Sequence, residues 1–215
     1  MLRVMYFEQL RRIGPFLIAL CAMAAALPVL SCSGLLAGGA ASESFAVLEA
    51  AGRVSMYYPM LSCAVGLIIG PAGWQTDQEH GHVYALSLPI PRWHYALLRL
   101  TTGVLLVLPV VAALSLSALL TSALVTLPPG LQTYPLPLSL RFAATSLVTF
   151  STMFMLSSAS SRSFLIGAGA LFAAFVFDSL FAASNQLDYS VIAELLFGTR
   201  SPFSFFMGVW TLIDV

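Results

Sequence analysis

Residues 100–127 read LTTGVLLVLPVVAALSLSALLTSALVTL and hold no charged side chain. A helix needs roughly 20 apolar residues to cross the hydrocarbon core of a bilayer, so this stretch is long enough to span. The charge-free run continues to Arg141, but Pro128, Pro129, Gly130, Pro135 and Pro137 break its end into a loop. A membrane span is therefore predicted within 95–127. The same ruler, laid between charges in both directions, predicts spans at 14–37, 54–74, 140–160 and 164–183, the last two joined by a short turn around Arg162. Residues 201–213 are also uncharged, but Pro202 interrupts them and they are too short to cross at about 1.5 Å per residue.

Composition agrees with the ruler. Of 215 residues, 59% are hydrophobic and 8% charged, against about 25% charged in soluble domains. Mean hydropathy is +0.92. These values exclude an ordinary soluble enzyme and predict an all-α polytopic membrane protein, 1–215 forming a single transmembrane domain with five transmembrane helices. Nine acidic and nine basic residues balance, and no charge run exists for nucleic acid to bind. Every basic residue is arginine; with no lysine, a phosphate-binding loop of the Gly-Lys-Ser/Thr type is ruled out and the chain is not expected to be an enzyme.

The arginines give an orientation. With the N-terminus inside, Arg3, Arg11, Arg12, Arg92, Arg99 and Arg162 are cytoplasmic, and Arg53, Arg141 and Arg200 are outside. Positive charge is retained on the cytoplasmic side, so six against three selects that topology. Residues 1–13 place Leu2, Met5, Tyr6, Leu10 and Ile13 on one helical face and Arg3, Glu8, Arg11 and Arg12 on the rest. That pattern predicts an N-terminal interfacial amphipathic helix; the alternative is a short leader whose arginines anchor the first span. Val29-Leu30-Ser31-Cys32 loosely resembles a lipoprotein cleavage box, but leucine before the small residue fits poorly and a retained first helix is the better reading. Cys21, Cys32 and Cys63 form no close pair and read as packing residues.

One loop stands apart. Residues 74–99 gather all three histidines, two of the three tryptophans, Asp77, Glu79, Arg92 and Arg99. A metal site on His80, His82 and His94 with Asp77 or Glu79 is one reading, although the spacing is not a helical i, i+4 pair and no ligand completes a shell. An acid/base pair of Glu79 with His80 or His82 is another; adjacent helical residues point apart and no nucleophile accompanies them. The third starts from order: acidic residues, Gly81, a short amphipathic helix from Val83 to Leu88, a Pro89/Pro91 stop, Arg92, then an aromatic and apolar run into the next span.

That order resembles the cytoplasmic loop between the second and third transmembrane helices of ABC type-2 exporter permeases. Glu79 and Gly81 match the start of the family's pattern, Leu86 and Leu88-Pro89-Ile90 its middle, Arg92 its arginine and Arg99 the basic residue that opens the third helix. Pro91 stands where serine is commoner. The resemblance implies a coupling helix in 75–94 that docks on a separate ABC ATPase subunit, in an integral protein of the bacterial cytoplasmic membrane. ATP and magnesium would sit on that partner and no cofactor in this chain, which would pair with itself or a sister permease subunit. In such a helix Tyr84, Leu86 and Leu88 offer apolar contact, Pro89 a rigid end, and Asp77, Glu79 and Arg92 charge pairing. A plainer reading makes the loop an interfacial segment anchored by Trp74 and Trp93. A non-transporting membrane scaffold or assembly subunit is the alternative for the whole chain.

Asp178 lies inside the fifth predicted span, where a carboxylate is costly unless it finds water or a partner; it is a possible intramembrane polar site or a residue reaching the interface. Thr145, Thr149 and Thr152 share a face of the fourth span, and Ser115, Ser117, Thr121 and Ser122 lie in the third; packing and pathway roles are both open. Residues 184–215 are expected outside. In the family resembled, this region holds short external re-entrant helices with a Ser-Pro-Phe element like Ser201-Pro202-Phe203, followed by a sixth transmembrane helix. That sixth span is not found before Val215.

Overall fold

The computed structural model describes residues 2–33, 44–75, 77, 91–125, 127–128, 130–158 and 210–214, with isolated positions between 166 and 180. In chain order the elements are α1 (Leu2–Ser31), α2 (Ser44–Ser55), α3 (Tyr57–Ala72), α4 (Arg92–Leu124), β1 (Gln132–Thr133), α5 (Pro135–Ser158) and β2 (Ile213–Asp214). Among the described residues, four helical stretches are long and apolar enough to cross a membrane: Leu2–Ser31, Val47–Ala72, Trp93–Leu124 and Pro135–Ser158. The chain divides into two compact units, Met1–Met155 with Trp210–Val215, and Leu156–Val209.

Each long helix buries one stripe and leaves the rest apolar and exposed, as a lipid-facing helix does. In α1 the buried stripe is Met5, Gln9, Ile13, Leu17, Leu20, Ala24, Leu27, Pro28 and Ser31, while Phe16, Ile18 and Met23 stay exposed. The stripe runs through Gly14-Pro15 without a break, so residues 2–13, expected as an interfacial helix, are continuous with the helix that carries the first predicted span. In the second span the helix does break. Met56 is a turn between α2 and α3, and Pro59 has no N–H to return to Ser55, which uncouples the two turns.

Helix directions follow from cross-contacts. Ser31 at the end of α1 shares a hydrogen bond of 2.9 Å with the Tyr58 hydroxyl at the start of α3, while Arg99 near the start of α4 reaches Gly73 after the end of α3. Therefore α1 and α4 run parallel to each other and antiparallel to α3. α1 meets α4 more extensively than it meets α3, its nearer neighbour in sequence, and Ser117 of α4 donates to the Ala25 carbonyl of α1 at 2.5 Å.

α5 runs alongside α3 at close range because glycine lines the contact. A Cβ on Gly66 would lie 2.5 Å from the Phe150 nitrogen, one on Gly70 2.6 Å from the Met153 Cβ, and one on Gly103 of α4 would collide with the Phe150 ring. Thr149 donates at 2.8 Å to the Thr145 carbonyl in its own helix and at 3.3 Å to Ser62 of α3. Thr145 is fully buried and Thr152 is exposed, so the three threonines do not share one environment. In α4, Ser115, Thr121 and Ser122 bond to carbonyls of their own helix.

At the far end of α4 the chain turns at Gly130, whose φ of 96° is a conformation that suits glycine. β1 then pairs antiparallel with β2, Gln132 opposite Asp214 and Thr133 opposite Ile213, and Tyr134 N–H reaches the Leu212 carbonyl at 2.9 Å. Arg141 sits over the Trp210 ring at 5.8 Å. Of the 184–215 segment, Trp210–Asp214 thus lies with the α4–α5 connection, and the rest falls outside the described residues.

In the second unit, described positions between Ile166 and Leu180 are helical; Ile166, Phe177 and Leu180 are exposed and Asp178 is half-buried. Most of the fifth predicted span, 164–183, lies outside the described residues.

Candidate functional site

The ends of the 75–94 loop are where the chain concentrates buried charge. α3 stops at Pro71-Ala72-Gly73, and a helix end leaves its last carbonyls without partners. Arg99 comes from α4 and donates NH1 to the Gly73 carbonyl, the cation at a helix C-terminus that satisfies both hydrogen bonding and the dipole. The remaining guanidinium donors turn to two other groups. Nε donates to the Tyr95 hydroxyl at 2.9 Å, and NH2 donates to Asp77 Oδ1 at 3.1 Å and also to Tyr95. Tyr95 passes its own proton on, lying 3.0 and 2.9 Å from the two Asp77 oxygens.

Tyr95 and Arg99 are four residues apart on one helical face, and the guanidinium also lies 4.9 Å from the Tyr95 ring centroid. Asp77 is 0%, Arg99 3% and Tyr95 4% exposed. Such burial is costly for an isolated charge, and here every ionised group has an opposite charge and further hydrogen bonds around it. Trp74 closes the knot: its ring meets Tyr95 edge-on at 6.4 Å and Phe154 of α5 at 5.2 Å. A Cβ on Gly73 would lie 3.1 Å from the Phe154 ring. The Trp74 Nε1 proton and the Gln9 amide nitrogen, both buried, have no hydrogen-bond partner among the described residues.

Comparison with known proteins gives no match: no family model, no curated protein and no solved structure resembles this chain. The residues themselves therefore carry the argument.

Among the expected loop residues, Asp77 is fully buried. Its carboxylate is held by Tyr95 and Arg99. Arg92 opens α4, the first residue of that helix. Glu79, Gly81, Tyr84, Leu86, Leu88 and Pro89 lie outside the described residues, as do His80 and His82. His94 is exposed and stacked on Trp93, ring centroids 3.7 Å apart. Among the described residues no group of three or more metal-binding side chains comes together. The sequence pointed to Arg99 only as the basic residue that opens a span. The sequence reading does not anticipate the Asp77–Tyr95–Arg99 knot, whose signal is the Tyr95/Arg99 pair at i, i+4 with an acid at the start of the loop.

Proposed function

We propose that this chain is the membrane-spanning permease subunit of a type-2 ABC exporter, in a bacterial cytoplasmic membrane with its N-terminus inside. A separate ATPase subunit holds ATP and magnesium and docks on the 75–94 loop. The substrate crosses between this subunit and a second copy or a sister subunit.

The observation that carries this reading is the buried knot. A docking loop moves membrane helices only if its two ends are tied firmly to them, since slack at the roots absorbs the displacement. Asp77 follows α3, Tyr95 and Arg99 belong to α4, and Arg99 also grips the end of α3. Both roots of the loop are thus joined to each other and, through Trp74 and Phe154, to α5. A push on the loop then reaches three helices together. The five-span count is supported by the chain's course. Phe154 packs on Trp74 at the loop end of the bundle, whereas Trp210 lies by Arg141 and β1 at the other end. Leaving at one end and returning at the other supports one further crossing in between.

The test is co-purification from the native membrane, with the partner scored by ATP hydrolysis and by a nucleotide-binding motif in its sequence. Glu79→Arg and Gly81→Pro are expected to weaken that association by roughly tenfold or more and to abolish stimulation of hydrolysis. Unchanged association and stimulation would overturn the docking assignment. An otherwise intact chain that brings down no ATPase would point to a scaffold subunit.

A further inference from the structure

We propose that the groove between α1 and α4, at the C-terminal end of both helices, holds one acyl chain of a membrane lipid. The cavity has a volume of about 520 Å³, within the range of about 300–1,000 Å³ typical of small-molecule sites. Its walls come from two registers of α4. Ala113, Ser117 and Thr121, spaced four apart, form a floor of small side chains. Leu116, Leu120 and Leu124, also four apart, form a rim, 62%, 63% and 73% exposed. Ala25 and Val29 of α1 supply the opposite wall.

Three observations select a hydrocarbon chain as the occupant. The described lining carries no charge, and its two hydroxyl protons are already engaged: Ser117 donates to Ala25 and Thr121 to the Ser117 carbonyl at 2.7 Å. Nothing is left to donate to a headgroup or a polar substrate. The length also fits. From Ala113 to Leu124 the groove follows α4 for roughly 16 Å, about half of the ~30 Å hydrocarbon core and so the depth of one leaflet. Finally, the described lining comes to eight residues on two helices, whereas a stable protein interface engages roughly 20–30 residues a side. A second copy of the chain would need far more surface than the groove provides, while an acyl chain needs only the slot.

This proposal stands whether or not the chain is a permease. It is tested on the full chain purified in mild detergent from phosphatidylcholine vesicles and weighed intact by native mass spectrometry. The wild type is expected to retain one phosphatidylcholine per chain after detergent washing. Ser117→Ala, which removes a hydrogen bond but leaves the slot open, is expected to retain it as well. Ala113→Phe fills the floor, and Leu116→Ala with Leu120→Ala removes the exposed rim without touching the buried contact. Both are expected to lose the retained lipid at least tenfold while keeping the helical circular dichroism of the wild type. Should Ala113→Phe fail to fold, the rim variant carries the same test. Equal retention in wild type and rim variant, or no retention in the wild type, overturns the proposal. So does a filled or opened groove that changes the monomer–dimer ratio and leaves bound lipid unchanged.

Discussion

Arg99 serves three acceptors at once, and its value to the fold depends on Asp77 more than on its own contacts. Removing the acid leaves a guanidinium buried against an apolar span, a situation that costs about 3–5 kcal/mol, whereas replacing both partners by apolar groups is often close to neutral. Asp77→Ala is therefore expected to lower the thermal midpoint by roughly 6–20 °C for a chain of this length. Adding Arg99→Leu to that variant should restore most of the loss. Thermal unfolding in detergent checks both, and a double variant no more stable than the single one would show that the pair is not coupled. At this scale the sequence was only half legible. Arg99 announces itself as a charge at a span boundary, but its partner lies 22 positions upstream, and Glu79 competes for the same role in any reading by proximity. Only the turn that ends α3 at Gly73 brings Asp77 inward.

Between elements, the contact of α3 with α5 is set by glycine. A Cβ on Gly66 would meet the backbone of Thr149 and Phe150, which cannot rotate away, so the helices would have to part. Gly66→Ala is expected to destabilise by about 1–3 kcal/mol, the usual cost of overpacking. Gly52→Ala in α2, where nothing lies within 4 Å, is expected to be neutral or stabilising by roughly 0.5–1 kcal/mol, because alanine restricts the unfolded chain and favours helix. Comparing the two unfolding midpoints separates close packing from mere helix propensity; equal effects would refute the close approach. The charge-free ruler located four helices because their composition leaves no other place for them. The helices themselves begin before the stretches the ruler marks, α4 at Arg92 against 95 and α5 at Pro135 against 140. The ruler also placed a joint at Ile13, where the sequence of α1 carries Gly14-Pro15 but its packed face does not change.

Across the whole molecule, β1 and β2 fix the relation between two distant parts of the chain. Leu131, Leu212 and Ile213 are buried there in the same apolar core as Cys32, Val47 and Ala51. The roots of the 75–94 loop, Asp77 and Tyr95, and the Trp210–Asp214 segment consequently lie at opposite ends of the first unit. A reporter fused after Val215 is expected on the opposite side of the membrane from a cysteine placed in that loop; in the orientation proposed above, the reporter reads as external. Same-side labelling by a membrane-impermeant thiol reagent would show that the helix directions have been misassigned. This relation was out of reach of composition, because a two-residue strand leaves no periodic signature.

The parallel pairing of α1 with α4 has a consequence for biosynthesis. Residues 32–91 must be made after α1 is complete and before α4 begins, which at ribosomal speeds of about 5–20 residues per second leaves α1 without its main neighbour for several seconds. During that delay the first helix has lipid and, once they are made, α2 and α3 for company. Its future contact face must therefore be tolerable to hydrocarbon before it is complementary to protein, and from Leu17 to Leu27 that face is built of leucine and alanine. The late-arriving partner, α4, is the one that brings the hydroxyl of Ser117 to the junction.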